Sequence, residues 1–176
     1  MRLNLGSGMF GIAAVDVLGI GRDGWKSIDI CPAYGADESY DVTEGIRELD
    51  DSVALIWMGD FLEHVPRAKC VPLLRECRRV LKMGAQLRIS VPDMTKVMLR
   101  WLVDDDGESD ELSWLVYGQQ GETQEGRNAG PDSHLNGFTE SRLRAALRHA
   151  GFITATRVTY HGVWFELGML TEKAAG

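Results

Sequence analysis

The sequence predicts an α/β fold built on one doubly wound, mostly parallel sheet. Strand-like and helix-like segments alternate along most of the chain, which is typical of parallel strands joined by crossover helices. The almost wholly apolar segment 52–58, bounded by Asp51 and Gly59, has the composition of a strand buried on both faces. Two strand-like runs around His161-Gly162 predict a closing antiparallel hairpin with a tight turn. We therefore expect a Rossmann-like sheet with helices on both faces.

Short apolar runs that end at glycine or proline predict the strands of the first half of the chain. The first covers residues 2–5, and the second covers 25–30 and stops before Pro32, which cannot donate a ladder hydrogen bond. A shorter third strand is expected at 38–42. Residues 9–24 open on a helix-like run and continue as a glycine-rich stretch, which weakens the case for a regular helix there.

Amphipathic spacing predicts the main helices of the remainder. Residues 67–81 carry apolar side chains at intervals of three and four, and Gly84 follows where a helix commonly ends. Residues 139–150 begin with Thr139 as N-cap and end before Gly151. The other expected elements are strands over 85–91, 152–160 and 163–170 and helices over 94–103 and 111–117.

The length and net charge of the chain limit the kinds of protein it can be. The 176 residues fit one domain, residues 1–176, with a full core. The formal net charge of -7 disfavours a broad nucleic-acid or anionic-membrane surface. No apolar run is long enough to cross a bilayer, and the N-terminus lacks the organisation of a signal peptide. We expect a cytoplasmic protein that neither binds nucleic acid nor inserts into a membrane.

The cysteines and the acidic cluster do not indicate a metal site. Cys31, Cys70 and Cys77 are odd in number and lack C-x-x-C spacing, which argues against a disulfide framework or structural zinc. The run Asp104-Asp105-Asp106 lacks the spacing of a calcium loop. No metal ligand is therefore predicted.

A glycine turn directly after the first strand indicates a nucleotide-containing cofactor. Gly6-Ser7-Gly8 lets backbone N–H groups approach a ligand closely, and Asp29 ends the next strand, where its carboxylate can accept hydrogen bonds from a ribose. Residues 6–11 also fit the dinucleotide spelling G-x-G-x-x-G, with Asp29 near the usual spacing. The turn alone leaves the type of cofactor open, and an ordinary strand-to-loop turn has the same composition.

Polar or small residues follow several of the predicted strands. Ligands of such sheets bind at the carboxyl ends of the strands. Five residues at these ends are therefore expected to meet in one crevice: Gly6, Asp29, Asp41, Gly59 and Asp93.

Sequence blocks in a fixed order resemble the class I S-adenosylmethionine-dependent methyltransferases. The blocks are LNLGSG at 3–8, GWKSIDI at 24–30, MGDFLEHVP at 58–66, LRECRRVLKMG at 74–84 and LRISVPD at 87–93, followed by His134, GFT at 137–139 and AGF at 150–152. The pair of blocks at 58–66 and 74–84 is the most specific. The chain is similar in particular to the compact methyltransferase-11-like branch, which is associated with sugar and glycan pathways.

The resemblance implies S-adenosylmethionine as cofactor and a set of residues that bind it. Gly6 and Gly8 would lie under its methionine part, Asp29 would bind the ribose, Asp41 and Val42 would border the adenine, and Met58, Gly59 and Asp60 would line the sulfonium end. The full implied set is Asn4, Leu5, Gly6, Ser7, Gly8, Asp29, Ile30, Asp41, Val42, Met58, Gly59 and Asp60. Asn4 stands where the family often has an acidic residue, and Phe10 where it often has a third glycine.

Two histidines are candidates for a catalytic base. His64 follows the strand end beside the expected methyl group, and His134 follows a polar tract that would form part of an acceptor-binding cap over residues 94–133. Structural roles, in a loop contact or a helix start, fit both residues as well. The implied reaction is in-line methyl transfer to a small molecule or a glycan-type acceptor.

Two other functions remain open from the sequence. A non-catalytic methyltransferase-like domain would bind a ligand or partner without turnover, and Asn4 and Phe10 are compatible with it. A nicotinamide-dependent oxidoreductase would share the glycine turn, but the second half of the chain offers no Tyr-x-x-x-Lys donor set.

Overall fold

A computed structural model of the chain describes residues 1–103, 110–118 and 132–174. Seven strands form one sheet in the order β3-β2-β1-β4-β5-β7-β6. Strands β1 to β5 pair in parallel, and β7 pairs antiparallel with both β5 and β6. The predicted mostly parallel sheet with an antiparallel C-terminal edge is therefore confirmed. Within these three ranges no helix is long and apolar enough to cross a membrane.

The elements follow the predicted order. The strands are β1 Arg2–Leu5, β2 Trp25–Asp29, β3 Glu38–Ser39, β4 Val53–Gly59, β5 Leu81–Pro92, β6 Ala155–Val158 and β7 Glu166–Glu172. The α-helices are α1 Arg67–Val80, α2 Met94–Val103, α3 Asp110–Tyr117 and α4 Glu140–His149. Short 3₁₀ segments cover Gly8–Leu18, Pro32–Tyr34, Val42–Glu44 and Leu62–His64.

The core forms around the central strands. In β4, the successive side chains Ile56, Trp57 and Met58 are all fully buried, so both faces of this strand are covered, as its composition predicts. Helix α1 adds one apolar face, which includes Cys70 and Cys77. Burial raises the pKa of the Cys77 thiol, and this thiol serves as apolar packing.

Two segments differ from the sequence prediction at their boundaries. Most of residues 9–24 belong to the 3₁₀ segment Gly8–Leu18, and Gly19, which follows it, has the left-handed conformation with φ 64°. Gly84 does not follow the end of α1, because β5 begins directly after the helix and Gly84 lies inside it at φ 74°. Its N–H donates to the Lys173 carbonyl, so the sheet ladder accommodates the glycine.

The closing hairpin has a long connection and not the expected tight turn. Residues 159–165 separate β6 from β7. The carboxylate of Glu166 accepts the backbone N–H groups of Tyr160, His161 and Gly162 at 2.7–3.1 Å. A buried carboxylate therefore organises this loop, and the two strands are shorter than their apolar patterns suggest.

The start of helix α4 carries the predicted cap. Thr139 Oγ1 accepts the Arg142 N–H at 3.3 Å. Replacing Thr139 by alanine is expected to lower the free energy of unfolding by about 1 kcal/mol, because this N–H loses its partner. Denaturant unfolding measures the change. Thr139→Ser keeps the oxygen and should retain most of the stability; an equal loss in both variants would contradict the capping role.

Helices α2 and α3 form a small second core. Val97, Leu112 and Leu115 are buried together, with Phe165 of the β6–β7 connection packed against them. The two helices account for most of the described residues of the expected cap, 94–133. The Asp104-Asp105-Asp106 run and residues 119–131 of the polar tract lie outside the described residues.

Candidate functional site

Two adjoining cavities lie at the carboxyl ends of β1, β2 and β4. The first cavity, about 380 Å³, opens between the glycine turn, Asp29 and Asp41. The second cavity, about 640 Å³, opens between the glycine turn, Glu63 and helix α3. Both are lined by Gly6, Gly8, Tyr34, Asp60, His64 and Asp132. The two cavities therefore meet beneath these shared residues.

Asp29 holds the glycine turn in place. Its Oδ2 accepts the Gly8 N–H and its Oδ1 accepts the Cys31 N–H, both at 2.8 Å. Gly6 and Gly8 have φ values of 66° and 55°, a conformation that glycine adopts without strain. Each carboxylate oxygen of Asp29 keeps a second lone pair, so Asp29 can organise the turn and still accept a hydrogen bond from a ligand.

The far end of the first cavity is formed by the segment after β3. Asp41 Oδ1 accepts both the N–H and the hydroxyl of Thr43, at 2.9 and 2.6 Å. Burial opposes the charge on Asp41, but these hydrogen bonds outweigh it and the pKa of the carboxyl is lowered. Val42 and Ile30 add apolar surface to the same cavity. The predicted residues Gly6, Gly8, Asp29, Ile30, Asp41 and Val42 are thus brought together.

Three predicted binding residues lie beneath the cavities and not in them. The side chains of Asn4, Leu5 and Met58 are at most 1% exposed and line neither cavity. They belong to central strands that are covered on both faces, so only the residues just beyond the strand ends reach the openings. Ser7 lines the second cavity, and among the described residues its buried Oγ has no hydrogen-bond partner.

Asp93 is also not part of the crevice, contrary to the sequence prediction. It is 3% exposed at the start of α2, where its Oδ1 accepts the Thr95 N–H at 3.1 Å. Its Oδ2 accepts Arg157 Nη2 at 3.0 Å. Pro92, the last residue of β5, lines the second cavity, whereas the Asp93 carboxylate is held by these two partners.

Asp60 stands where the cavities meet. It follows β4 with φ 46°, an uncommon value for a residue with a side chain. Ser90 Oγ donates to Oδ1 at 3.4 Å, and His161 Nε2 lies 3.9 Å from Oδ2. Although the side chain is 52% accessible, its position inside the concave site desolvates it and raises the pKa of the carboxyl. His161, expected to be only a turn residue, also lines the second cavity.

The two predicted histidines meet in the second cavity. Their ring centroids are 4.9 Å apart, with the planes at 73°. His64 Nδ1 lies 3.1 Å from the Ser133 carbonyl oxygen, and His134 Nδ1 lies 3.0 Å from that of Leu115. Burial, with the neighbouring His64, lowers the pKa of His134 to about 4, so His134 is uncharged at neutral pH.

Glu63 is a site residue that the sequence analysis missed. It is 2% exposed and lines the second cavity beside both histidines. Among the described residues neither carboxylate oxygen has a hydrogen-bond partner, and burial raises the pKa of the carboxyl well above its usual range. The only signal in the sequence is its place next to His64, since a glutamate in a polar-looking turn is normally expected at the surface.

Comparisons with known proteins identify the fold. No protein-family model and no curated protein matches the sequence. Among solved structures, an S-adenosylmethionine-dependent methyltransferase of Methanosarcina mazei is similar with a TM-score of 0.61 and 16% identity over 99% of this chain and 92% of that chain. One from Archaeoglobus fulgidus has a TM-score of 0.63 and 13% identity over 98% of this chain and 85% of that chain. The fold is that of the class I methyltransferases.

Human N-acetylserotonin methyltransferase, solved in complex with S-adenosylmethionine, shares this methyltransferase fold. Its TM-score is 0.65 at 16% identity, over 99% of this chain and 47% of the human chain. The present chain therefore spans about half of the human protein. At such identities the likeness establishes the methyltransferase fold, whereas the role of each residue rests on the site itself.

Proposed function

We propose that the chain is an S-adenosylmethionine-dependent methyltransferase that acts on a small molecule or a glycan-type acceptor. The main support for this proposal is the pair of adjoining cavities that share Gly6, Gly8, Asp60 and His64. The first cavity offers the contacts of a nucleoside, and the second offers room for an acceptor beside it. The methyltransferase fold supports this division.

The cofactor is assigned to the first cavity. Asp29 would accept hydrogen bonds from the ribose hydroxyls, while Ile30, Asp41 and Val42 would border the adenine. Gly6 and Gly8 would pass under the methionine part. Asp60, at the junction, and Gly59, beside it in the second cavity, would face the sulfonium. The Asp60 carboxylate would complement its positive charge.

The acceptor is assigned to the second cavity and the cap. Trp114 and Leu115 of α3 line this cavity, so the segment 94–133 would help to hold the acceptor. Trp101 and Tyr117 pack against each other with ring centroids 6.4 Å apart. They would support the cap and not contact the acceptor.

The reaction would proceed as an in-line displacement. The carbon–sulfur bond of the sulfonium breaks as the acceptor atom binds the methyl group, and the acceptor's proton passes to a base or to water. Holding the reactants in line can supply ~7–11 kcal/mol of the barrier reduction. His64 and His134 are the candidate bases, because a bond from Nδ1–H to a carbonyl leaves Nε2 free to accept a proton.

Binding and turnover measurements separate the candidate functions. Calorimetry with S-adenosylmethionine, S-adenosylhomocysteine and NADH should show binding of the first two only. Turnover with an isotope-labelled methyl donor and a panel of metabolites and glycans should then give a labelled product. Binding of the donor with no product on any acceptor would favour the non-catalytic alternative, and selective NADH binding would favour an oxidoreductase.

A hydrogen bond across the cavities is expected to slow release of the cofactor. Tyr34 Oη donates to Asp132 Oδ2 at 2.9 Å, and this bond raises the pKa of Tyr34 to about 12. Tyr34→Phe should therefore speed dissociation of S-adenosylhomocysteine ~2- to 12-fold, since one hydrogen bond is lost. Stopped-flow fluorescence measures the rate. Tyr160→Phe, which removes a bond to the Met169 carbonyl instead, should leave the rate unchanged.

A further inference from the structure

We propose that Glu63, His64 and His134 form a binding site for a divalent transition-metal ion, with zinc as the preferred ion. One donor atom from each of the three side chains lies within 4.8 Å of the others. Glu63 is buried and the histidines are half-buried. The sequence alone predicts no metal site, because the three residues are brought together from two distant parts of the chain.

The donors lie within 4.8 Å of one another, and an occupied site would hold them closer. Zinc binds imidazole nitrogen and carboxylate oxygen at ~2.0–2.2 Å, so tetrahedral donors lie ~3.3 Å apart. Side-chain rotations that shift the donor atoms by about 1.5 Å or less would bring them from within 4.8 Å to that separation. Two imidazoles and one carboxylate are a set that suits zinc and neighbouring transition metals, whereas magnesium prefers oxygen donors and water.

The Nδ1 contacts of the two histidines fix the tautomer that metal binding needs. The Nδ1 atoms of His64 and His134 lie 3.1 and 3.0 Å from the Ser133 and Leu115 carbonyl oxygens. A carbonyl oxygen can only accept a hydrogen bond, so each Nδ1 must carry the proton. This arrangement assigns the proton to Nδ1 and leaves the Nε2 lone pair as the metal donor. A backbone carbonyl behind a metal-binding histidine is a common second contact that holds the ring orientation.

Glu63 supplies an independent reason for a bound cation. Both of its carboxylate oxygens are buried, and within the described part of the chain neither has a hydrogen-bond partner. Buried polar groups are nearly always paired, so an orphaned carboxylate in a cavity calls for a partner. A divalent cation held between this carboxylate and two imidazoles would satisfy it.

The backbone fixes the three ligands relative to one another. The Glu63 carbonyl oxygen accepts the N–H groups of Leu135 and Asn136 at 2.8 and 3.0 Å. These bonds dock the segment that carries His134 onto the turn that carries Glu63 and His64. The site is therefore built on two anchored segments and does not depend on a chance approach of surface side chains.

Three protein ligands leave one position of a tetrahedral zinc ion open, as in catalytic sites. All three ligands line the second cavity, so a water or an oxygen of the acceptor could take that position. With the ion bound, the Nε2 lone pairs of His64 and His134 are occupied, so the two histidines would act as ligands and the acceptor's proton would pass to water. This use of the ion rests on the proposed function; the binding of the ion does not. Metal binding and cofactor binding can therefore be tested separately.

The test is a zinc titration of chelator-treated, full-length protein, followed by calorimetry and thermal unfolding. It is carried out in a Cys31→Ser background, because Cys31 is a half-buried thiol that could bind zinc itself. One equivalent of zinc should bind with micromolar or tighter affinity and raise the unfolding temperature, while magnesium at the same concentration should not. Glu63→Gln, His64→Ala and His134→Ala should each weaken binding at least tenfold.

His149→Ala is the matched control, because His149 lies exposed at the end of α4 and its loss should not alter binding. Circular dichroism identifies a variant that fails to fold, and Glu63→Gln is the variant that best preserves volume. Unchanged zinc affinity in Glu63→Gln and His134→Ala would overturn the proposal, as would the absence of stoichiometric binding. Zinc binding without binding of S-adenosylmethionine would leave the metal site standing and reject the proposed function.

Discussion

Replacing Asp29 by alanine is expected to weaken binding of S-adenosylmethionine by ~1–3 kcal/mol, or about 5- to 150-fold in Kd. Two effects combine in this loss. The ribose loses its proposed acceptor, and the N–H groups of Gly8 and Cys31 lose the carboxylate that each contacts at 2.8 Å. The glycine turn would then no longer be held in its binding conformation. Calorimetric titration of the folded variant measures the change.

Asp37→Ala is the control for this experiment. Asp37 Oδ2 accepts the N–H and the hydroxyl of Ser27 at 2.7 and 2.8 Å, so it also bonds the backbone near β2, but it lines neither cavity. Its loss should lower stability and leave the cofactor affinity intact. If Asp29→Ala bound the cofactor as tightly as the unaltered protein, the assignment of the first cavity would fail.

Replacing Gly6 by alanine is expected to abolish cofactor binding and to destabilise the fold. A Cβ atom at this position would lie 2.0 Å from Cδ2 of Phe61, so the ring and the turn must shift apart. The φ of 66° adds strain of about 1–2 kcal/mol for any side chain. Overpacking adds a further ~1–3 kcal/mol. Denaturant unfolding and calorimetric titration measure the two effects.

Gly19→Ala separates strain from steric overlap. Gly19 has nearly the same φ, 64°, but a Cβ there would meet no atom within 4 Å. The Gly19→Ala variant should therefore lose only the stability that the backbone strain costs, and it should retain cofactor binding. Equal destabilisation of the two variants would mean that Phe61 moves aside freely, and normal cofactor binding by Gly6→Ala would reject the close approach of the turn to the ligand.

The sheet was predictable because its evidence is local. The all-buried run in β4 and the amphipathic spacing of α1 follow from side-chain periodicity, which the backbone geometry of each element dictates. The glycine turn and Asp29 were predictable for a related reason: parallel strands end at the same edge, so residues after successive strands approach one another. Asp41 was predictable on the same ground, and resemblance to a family added its expected place beside the adenine and the expectation of His64.

Some residues expected at the cavities do not line them, because spacing along the sequence does not show how deeply a side chain is buried. Met58 adjoins Gly59 in sequence, yet the side chain of Met58 lies wholly in the core while Gly59 lines the second cavity. Asp93 directly follows a central strand, as expected, but Arg157 from a strand far along the chain contacts its carboxylate. Both outcomes depend on which neighbours pack around a strand end.

By itself, the sequence determined the succession of strands and helices, the buried β4, the capped α4 and the glycine turn with its acidic partner. Each of these depends on residues that are near one another or on a regular backbone repeat. Only the tertiary structure decided that Glu63 is buried with no hydrogen-bond partner among the described residues and that His134 lies beside His64. Those relations join segments about seventy residues apart, and loop docking, which has no periodic signature, brings them together.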